Sequence, residues 1–345
     1  MTKVTIKDIA KYAGVSATSV SFAFNNPNRL PEETVQRILE AAEHIGYVPN
    51  PVARSMSTGR TGTLGILVPQ PITEIIRNPF LPEFLEGVGE VCTSAGFSLM
   101  IVPPLEGSMK RAIVEAAVDG FLTLGLEMFK VTMMVLHQRG VPYVMVDSDP
   151  AEGVPSVNID DEGGAKAAMI HILEAGHRNI TILGIRSGKE GRYQDYVGVL
   201  RNRIAGYILA LQAFDLSMDD PRIRLIECAS TARGGREGFK QLWAMSPRST
   251  AVVAMSDVIA LGVMSAAREA GVRLPKELSV IGFDDIPFAD LVFPSLTTVS
   301  QPLRKKGKIA ADLLVRFING DIDAEHKVLP TKLIVRKSVA KLGQD

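Results

Sequence analysis

Thr5–Asn25 reads TIKDIAKYAGVSATSVSFAFN, and its spacing predicts two short helices joined by a tight turn. Thr5 with Asp8 three positions on forms a capping-box pattern, which occupies the free backbone groups at a helix start. Ile6, Ile9, Ala10 and Ala13 recur at three, four and seven residues, so the first helix carries one apolar face. Gly14 permits a left-handed turn. Ser16 caps a second helix, and Val15 just before it can staple onto Val20. Helix, glycine turn and polar-faced helix make the helix-turn-helix pattern, whose second helix lies in the DNA major groove. Small bundles without that role share the pattern, so the flanking sequence has to decide.

Leu30–Gly46 continues with a third helix, its stripe formed by Val35, Ile38, Leu39, Ala42 and Ile45 and its end marked by Gly46. Three helices can share a small core and leave the second free to meet a groove. Within residues 1–30, Lys3, Lys7, Lys11 and Arg29 face Asp8 alone. That local basic excess suits phosphate neutralisation, although the whole chain balances 38 basic against 38 acidic residues. The stretch 47–62, YVPNPVARSMSTGRTG, reads as a linker with one short helix from Pro51 to about Ser57. Two turns are marginal in water, so such a helix orders only when docked.

From Thr63 onward, apolar runs alternate with helical stretches. The runs are Leu64–Val68, Phe97–Val102, Phe121–Leu124, Tyr143–Val146, Ile180–Leu183, Ile223–Ile226, Ala251–Ala254 and Val280–Phe283. Helical patterns such as Gly163–Ala175, Arg203–Phe214 and Val258–Ala270 sit between them, which predicts parallel sheets covered on both faces. The strands are too many for one sheet and fit two doubly wound lobes. A length of 345 residues with 46% hydrophobic residues supports several domains with substantial cores. Cys92 and Cys228 form no CxxC pair, so neither a zinc site nor a disulfide framework is indicated. No secretory leader and no uninterrupted membrane-length apolar segment is visible, and the expected location is cytoplasmic.

Val4–Pro69 resembles the headpiece and hinge of the LacI/GalR family of transcription regulators. The likeness continues through GHRNITILG, RNRIAGYILAL, STAVVAMSDVIALGVMSAAREAG, LPKELSVIGFDDIPFAD and FPSLTTVSQPL. The resemblance implies an all-α headpiece (1–46), a hinge (47–62) and an α/β core of two lobes like those of periplasmic sugar-binding proteins. It places one lobe at 63–160 plus about 291–320 and the other at 161–290 plus about 321–345, with crossovers near Asp160, Asp290 and Gly320. It also implies a homodimer on a palindromic double-stranded operator, released or recruited by a small-molecule effector. Ala17, Thr18 and Phe22 then face bases, while Ser16, Ser21 and Asn25 contact phosphates. Met56 matches the minor-groove wedge of the hinge helix. Thr5, Pro51, Ala53 and Arg54 complete the expected DNA-facing set.

Ligands of doubly wound sheets bind beyond the carboxyl ends of strands. The polar residues found there are Asp147, Ser256, Asp257 and Asp284, with Arg203 expected to open a helix. By resemblance, Arg203 and Asp284 are the main effector contacts, Asn78 and Phe80 belong to an NPF turn, and Ser230 stands where purine-responsive relatives carry an aromatic. A sugar or sugar phosphate is therefore favoured over a nucleoside. No cofactor or metal is expected: the five histidines lack ligand spacing, and no GxGxxG, Walker or G-x-S-x-G motif follows a strand. An enzyme or a transport protein is the rival reading, and the DNA headpiece favours neither.

Overall fold

A computed structural model describes residues 4–125, 130–186, 192–321 and 324–343. Two compact units emerge, residues 1–62 with 117–119, and the remainder of the chain.

The first unit holds α1 (Ile6–Ala13), α2 (Ala17–Asn25), α3 (Glu32–His44) and α4 (Pro51–Thr58). Asp8 accepts from the Thr5 backbone N–H at 2.9 Å and from its hydroxyl at 2.7 Å, fixing the start of α1. Gly14 ends α1 at φ 66°, and Ser16 Oγ accepts from Ser19 N at 3.0 Å to start α2. Ile9, Val20, Ala23, Ile38, Ala41 and Ala42 form the buried core, with Val15 and Phe24 packed against it. The helices bury most of the apolar stripes inferred from the sequence, but Leu39 of the third stripe is exposed and Ala41 takes a place in the core instead.

The second unit contains two six-stranded sheets. The first runs β11-β5-β4-β3-β1-β2 and is parallel throughout. Its strands are β1 (Thr63–Leu67), β2 (Ser98–Val102), β3 (Gly120–Leu124), β4 (Tyr143–Val146), β5 (Ser156–Ile159) and β11 (His326–Leu329). The second runs β12-β10-β9-β8-β6-β7, with β12 antiparallel to its neighbour. It comprises β6 (Ile180–Ile185), β7 (Ile223–Cys228), β8 (Ala251–Ala254), β9 (Ser279–Asp284), β10 (Thr297–Ser300) and β12 (Lys332–Ile334). The helices between them are α5 (Ile72–Ile75), α6 (Phe80–Ala95), α7 (Met109–Glu115), α8 (Lys130–Arg139), α9 (Asp161–Glu174), α10 (Gly198–Gln212), α11 (Ala232–Ala244), α12 (Asp257–Glu269), α13 (Phe288–Leu291) and α14 (Leu303–Ile318).

Two of the expected crossovers are displaced. Residues 297–300 pair with β9 and belong to the second sheet, not the first, so the chain crosses at Gln301 and Pro302 rather than near Asp290. Residues 326–329 then pair with β5 in the first sheet, so the final crossover follows Leu329 rather than Gly320. β11 exposes three of its four residues, and an edge strand of that kind leaves no apolar run in the sequence.

Three helix pairs meet through glycine. A Cβ at Gly87 of α6 would lie 1.8 Å from the Arg304 carbonyl oxygen of α14, and one at Gly307 would lie 2.1 Å from that of Phe84. Gly206 stands likewise against Glu162 between α10 and α9, and Gly235 and Gly262 face each other's helices between α11 and α12. Each would-be methyl meets backbone, which cannot rotate aside. Gly307→Ala or Gly235→Ala is therefore expected to destabilise the core by about 1–3 kcal/mol, as overpacked sites do. Urea denaturation monitored by Trp243 fluorescence checks this, and an unchanged midpoint would contradict it.

Candidate DNA-binding and effector sites

Ser16, Ala17 and Thr18 stand exposed at the start of α2. Thr5 is exposed too, with its side chain engaged by Asp8. Phe22 is half-buried and lies outside the headpiece core, its ring covered by the Arg29 guanidinium at 5.4 Å. The core aromatic is Phe24, tilted against Tyr47 at 5.6 Å. Asn25 Nδ2 donates to Ser21 Oγ at 3.4 Å. These two residues line a small groove with Ala53, Arg54 and Ser57 of α4, which draws the two helices' polar faces together.

Asn50 caps α4 by accepting from Val52 N at 3.0 Å, Pro51 occupies the first turn, and Gly59 ends it at φ 69°. No residue of α4 is buried. Val52 and Met56 are 65% and 84% exposed, so the helix displays an apolar edge that nothing in its own unit covers. At the far end of the linker, Asp119 accepts from Thr61 N at 2.6 Å, Thr61 Oγ1 at 2.8 Å and Gly62 N at 2.8 Å. Asp119 immediately precedes β3, a joint that the sequence reading did not single out.

At the strand ends of the two lobes, buried charges converge. Arg203 lies in the second turn of α10, not at its first residue as expected, because the helix already begins at Gly198. Its Nε donates to Asp161 Oδ1 at 2.8 Å, its Nη1 to the Met255 carbonyl, and its guanidinium carbon sits 3.7 Å from the Phe283 ring centre. Asp284, ending β9, accepts from Gln301 Nε2 at 2.6 Å. Gln301 Oε1 in turn accepts from Lys306 Nζ at 2.7 Å, and that ammonium donates to both oxygens of Asp147 at 2.7 and 2.9 Å. Phe80 opens α6 with its ring 4.8 Å from the same ammonium, and Asn78 holds the turn by accepting from Phe80 N at 3.1 Å. Asp147, Arg203, Asp284 and Phe80 are thus brought into one cluster.

Of three other expected contacts, Asp257 and Ser256 are engaged by backbone groups of the scaffold, and Ser230 stands beside Ser256. Asp257 is fully buried and accepts from Ile286 N at 3.0 Å and Thr298 Oγ1 at 2.5 Å. Ser256 caps α12 through Ile259 N at 3.4 Å, and Ser230 Oγ stands 3.5 Å from Ser256 Oγ. Asp161, Gln301 and Lys306 are members of the cluster that the sequence left unassigned. Asp147, Asp284 and Asp285 adopt φ of 54°, 130° and 58°. Non-glycine residues in such regions store strain on the order of 1–3 kcal/mol each, and they gather at functional sites. Opposite Asp147, Asp149 pairs with Arg201 of α10 at 2.7 Å, an exposed link between the lobes.

Burial raises the carboxyls of this region. Asp161 is pushed up to about 6, chiefly by desolvation, with Arg203 opposing. Asp257 and Asp284 are raised for the same reason. Among the described residues no His, Cys, Asp and Glu group could hold a metal, and no helix is long and apolar enough to cross a membrane.

A helix-turn-helix reader and hinge helix, followed by a two-lobed parallel-sheet core with charges converging at its strand ends, define a ligand-responsive class of DNA-binding regulator. Comparison with known proteins agrees. Residues 5–50 match the model for bacterial regulatory proteins of the lacI family, and residues 170–339 match that for a periplasmic binding protein-like domain. The chain is 32% identical to the HTH-type transcriptional repressor PurR of Photobacterium profundum over 98% of its own length and 99% of the relative's. It is 28% identical to the transcriptional regulator CelR in its cellobiose complex, covering 97% and 100% of the two chains with a TM-score of 0.71. The fold also matches the lac repressor dimer bound to operator and the anti-inducer ONPF, with a TM-score of 0.80 at 23% identity over 98% and 100% of the chains. The chain belongs to the lacI family of bacterial regulatory proteins and is a DNA-binding transcriptional regulator.

The raised carboxyls set a pH dependence. A carboxyl whose folded pKa exceeds its unfolded value, roughly 4, contributes stability that is complete below that value and drains away as pH rises through the folded pKa. The core's thermal midpoint is therefore expected to fall as pH rises from about 4 through about 6 and beyond. Asp257→Asn should flatten that decline. Asp220→Asn should leave it intact, since the side-chain hydrogen bond from Arg222 lowers Asp220 to about 2. A thermal-denaturation series across this range tests both substitutions.

Proposed function

We propose that the protein is a homodimeric repressor that reads a near-palindromic operator and is controlled by a sugar-like effector at the junction of its lobes. The carrying observation is the exposed apolar edge of α4. An isolated two-turn helix is marginal, and 84% exposure of Met56 has no structural benefit within one chain. Paired with a second copy, the edge can enter a minor groove, where an apolar wedge unstacks a base step and kinks the duplex. Ala17 offers a methyl suited to thymine and Thr18 a hydroxyl, while Phe22 supplies no bidentate contact, so the half-site is read partly through shape. Dimer formation is supported by Phe288, Leu291 and Phe293, which are 54%, 77% and 80% exposed on one short stretch of the second lobe. Patches of this kind mark interaction surfaces.

The effector reading rests on the cluster of Arg203, Asp284, Asp147 and Phe80. A guanidinium fork, carboxylates and an aromatic face suit a polyhydroxyl ring. Ser230 supplies no aromatic face for a nucleobase. Binding there shifts an equilibrium between lobe arrangements only by its differential affinity for them, and the Asp119 clamp on Thr61 and Gly62 offers a route from β3 to the hinge. The protein then acts in the cytoplasm, with DNA, effector and its own second copy as partners and no catalytic role.

Selection of duplexes from a random library should return a two-fold symmetric site, whereas recovery of no preferred sequence would defeat the proposal. Met56→Ala should weaken binding to the selected duplex about tenfold or more, roughly 1.4 kcal/mol per decade, with unchanged headpiece folding by circular dichroism. Asp284→Ala should keep operator affinity and lose the effector response; a retained response removes Asp284 from the site.

A further inference from the structure

Lys306 is the one lysine among the described residues whose side chain is wholly buried. Burying an ammonium is expensive, and an apolar side chain of similar volume often serves stability as well or better. Its surroundings account for the charge. The ammonium meets Asp147 through both carboxylate oxygens, the amide oxygen of Gln301, and the face of Phe80 at 4.8 Å. A carboxylate and a carbonyl oxygen as acceptors, with an aromatic face, together recognise a ligand ammonium group. Its position is also fixed from behind, because the next residue, Gly307, stands directly against the Phe84 carbonyl of α6.

We propose that Lys306 is a specificity-determining residue of the effector cleft, a tethered cation filling the place that a positively charged ligand group would take. The cleft is thereby left to ligands without positive charge. The proposal rests on reading the lobe junction as the effector site. It also gives Lys306 a positioning role. By occupying Gln301 Oε1 it turns the amide so that Nε2 faces Asp284, and it takes up both oxygens of Asp147.

Lys306→Ala removes the Cγ-to-Nζ fragment, which n-propylammonium reproduces. The variant's thermal midpoint should rise with n-propylammonium chloride at concentrations at least tenfold below any that affect the wild type. 1-Propanol should give no such gain, and Asp147→Asn in the same background should abolish it. Equal responses of variant and wild type, or no response of the variant, overturn the proposal. If Lys306→Ala does not fold, Lys306→Ser opens nearly the same space with a hydroxymethyl group in place of the methyl. That variant should be stabilised by D-glucosamine or D-galactosamine more than the wild type is, and no such gain overturns the proposal equally. A parallel screen of neutral sugars on the wild type reports separately on the effector reading. Stabilisation there without any amine gain in the variants sinks the Lys306 assignment alone, whereas amine gain with no sugar response sinks only the effector reading.

Discussion

Charge withdrawn from water must be matched by charge or by hydrogen bonds, and the lobe junction is organised around that constraint. Arg203 with Asp161, and Lys306 with Asp147, are held at 2.8 and 2.7 Å where almost no solvent reaches. Neither pair need add net stability, because desolvation offsets the attraction at such depth. Removing one partner alone is the costly event, since it strands the other. The network therefore fixes side-chain positions more than it stabilises the fold. Gln301 matters here because it sits where the chain passes from the second sheet to α14, so its amide joins Asp284 of one lobe to Lys306 of the other.

The helix pairs that frame this junction are drawn close by glycine. With no Cβ at Gly87 and Gly307, α6 and α14 approach until backbone meets backbone. That approach brings Phe80, at the start of α6, over the Lys306 ammonium near the start of α14. A lateral shift of either helix would separate the aromatic face from the cation.

Much of this was legible in the sequence where one local pattern had one structural meaning. All eight apolar runs became strands, and the caps at Thr5 and Ser16 formed as their spacing required. What was not legible depended on distant partners. β10, β11 and β12 are three or four residues long and lie towards the ends of their sheets, so they carry little apolar signal, and two crossovers were misplaced in consequence. Lys306 has basic neighbours at Arg304, Lys305 and Lys308, and only the turn of α14 against the first sheet puts it inside while Lys305 stays exposed. Asp161 turns inward to Arg203, while its neighbour Asp160 caps α9 by accepting from Gly163 N at 2.8 Å. Asp257 read as a ligand contact because it follows a strand, yet its oxygens are spent on Ile286 and Thr298.

The contacts that differ most between the interior and the rim explain how a small solute could govern such a molecule. The interlobe pair Asp149–Arg201 is about half exposed on both sides, and surface pairs of that kind contribute about 0–1 kcal/mol. Inside, Asp284 holds a backbone conformation that L-residues seldom adopt. A weakly held rim and a strained interior residue are the places where a bound solute would act on the lobe arrangement proposed above. A ligand whose hydroxyls bind one arrangement better by a few kcal/mol moves most of the population. At the other end α4 is two turns long and buries none of its residues, so it too is weakly held. In the homodimer proposed above, the separation of two such linkers would then decide whether α4 persists, and one weakly held element would set the other.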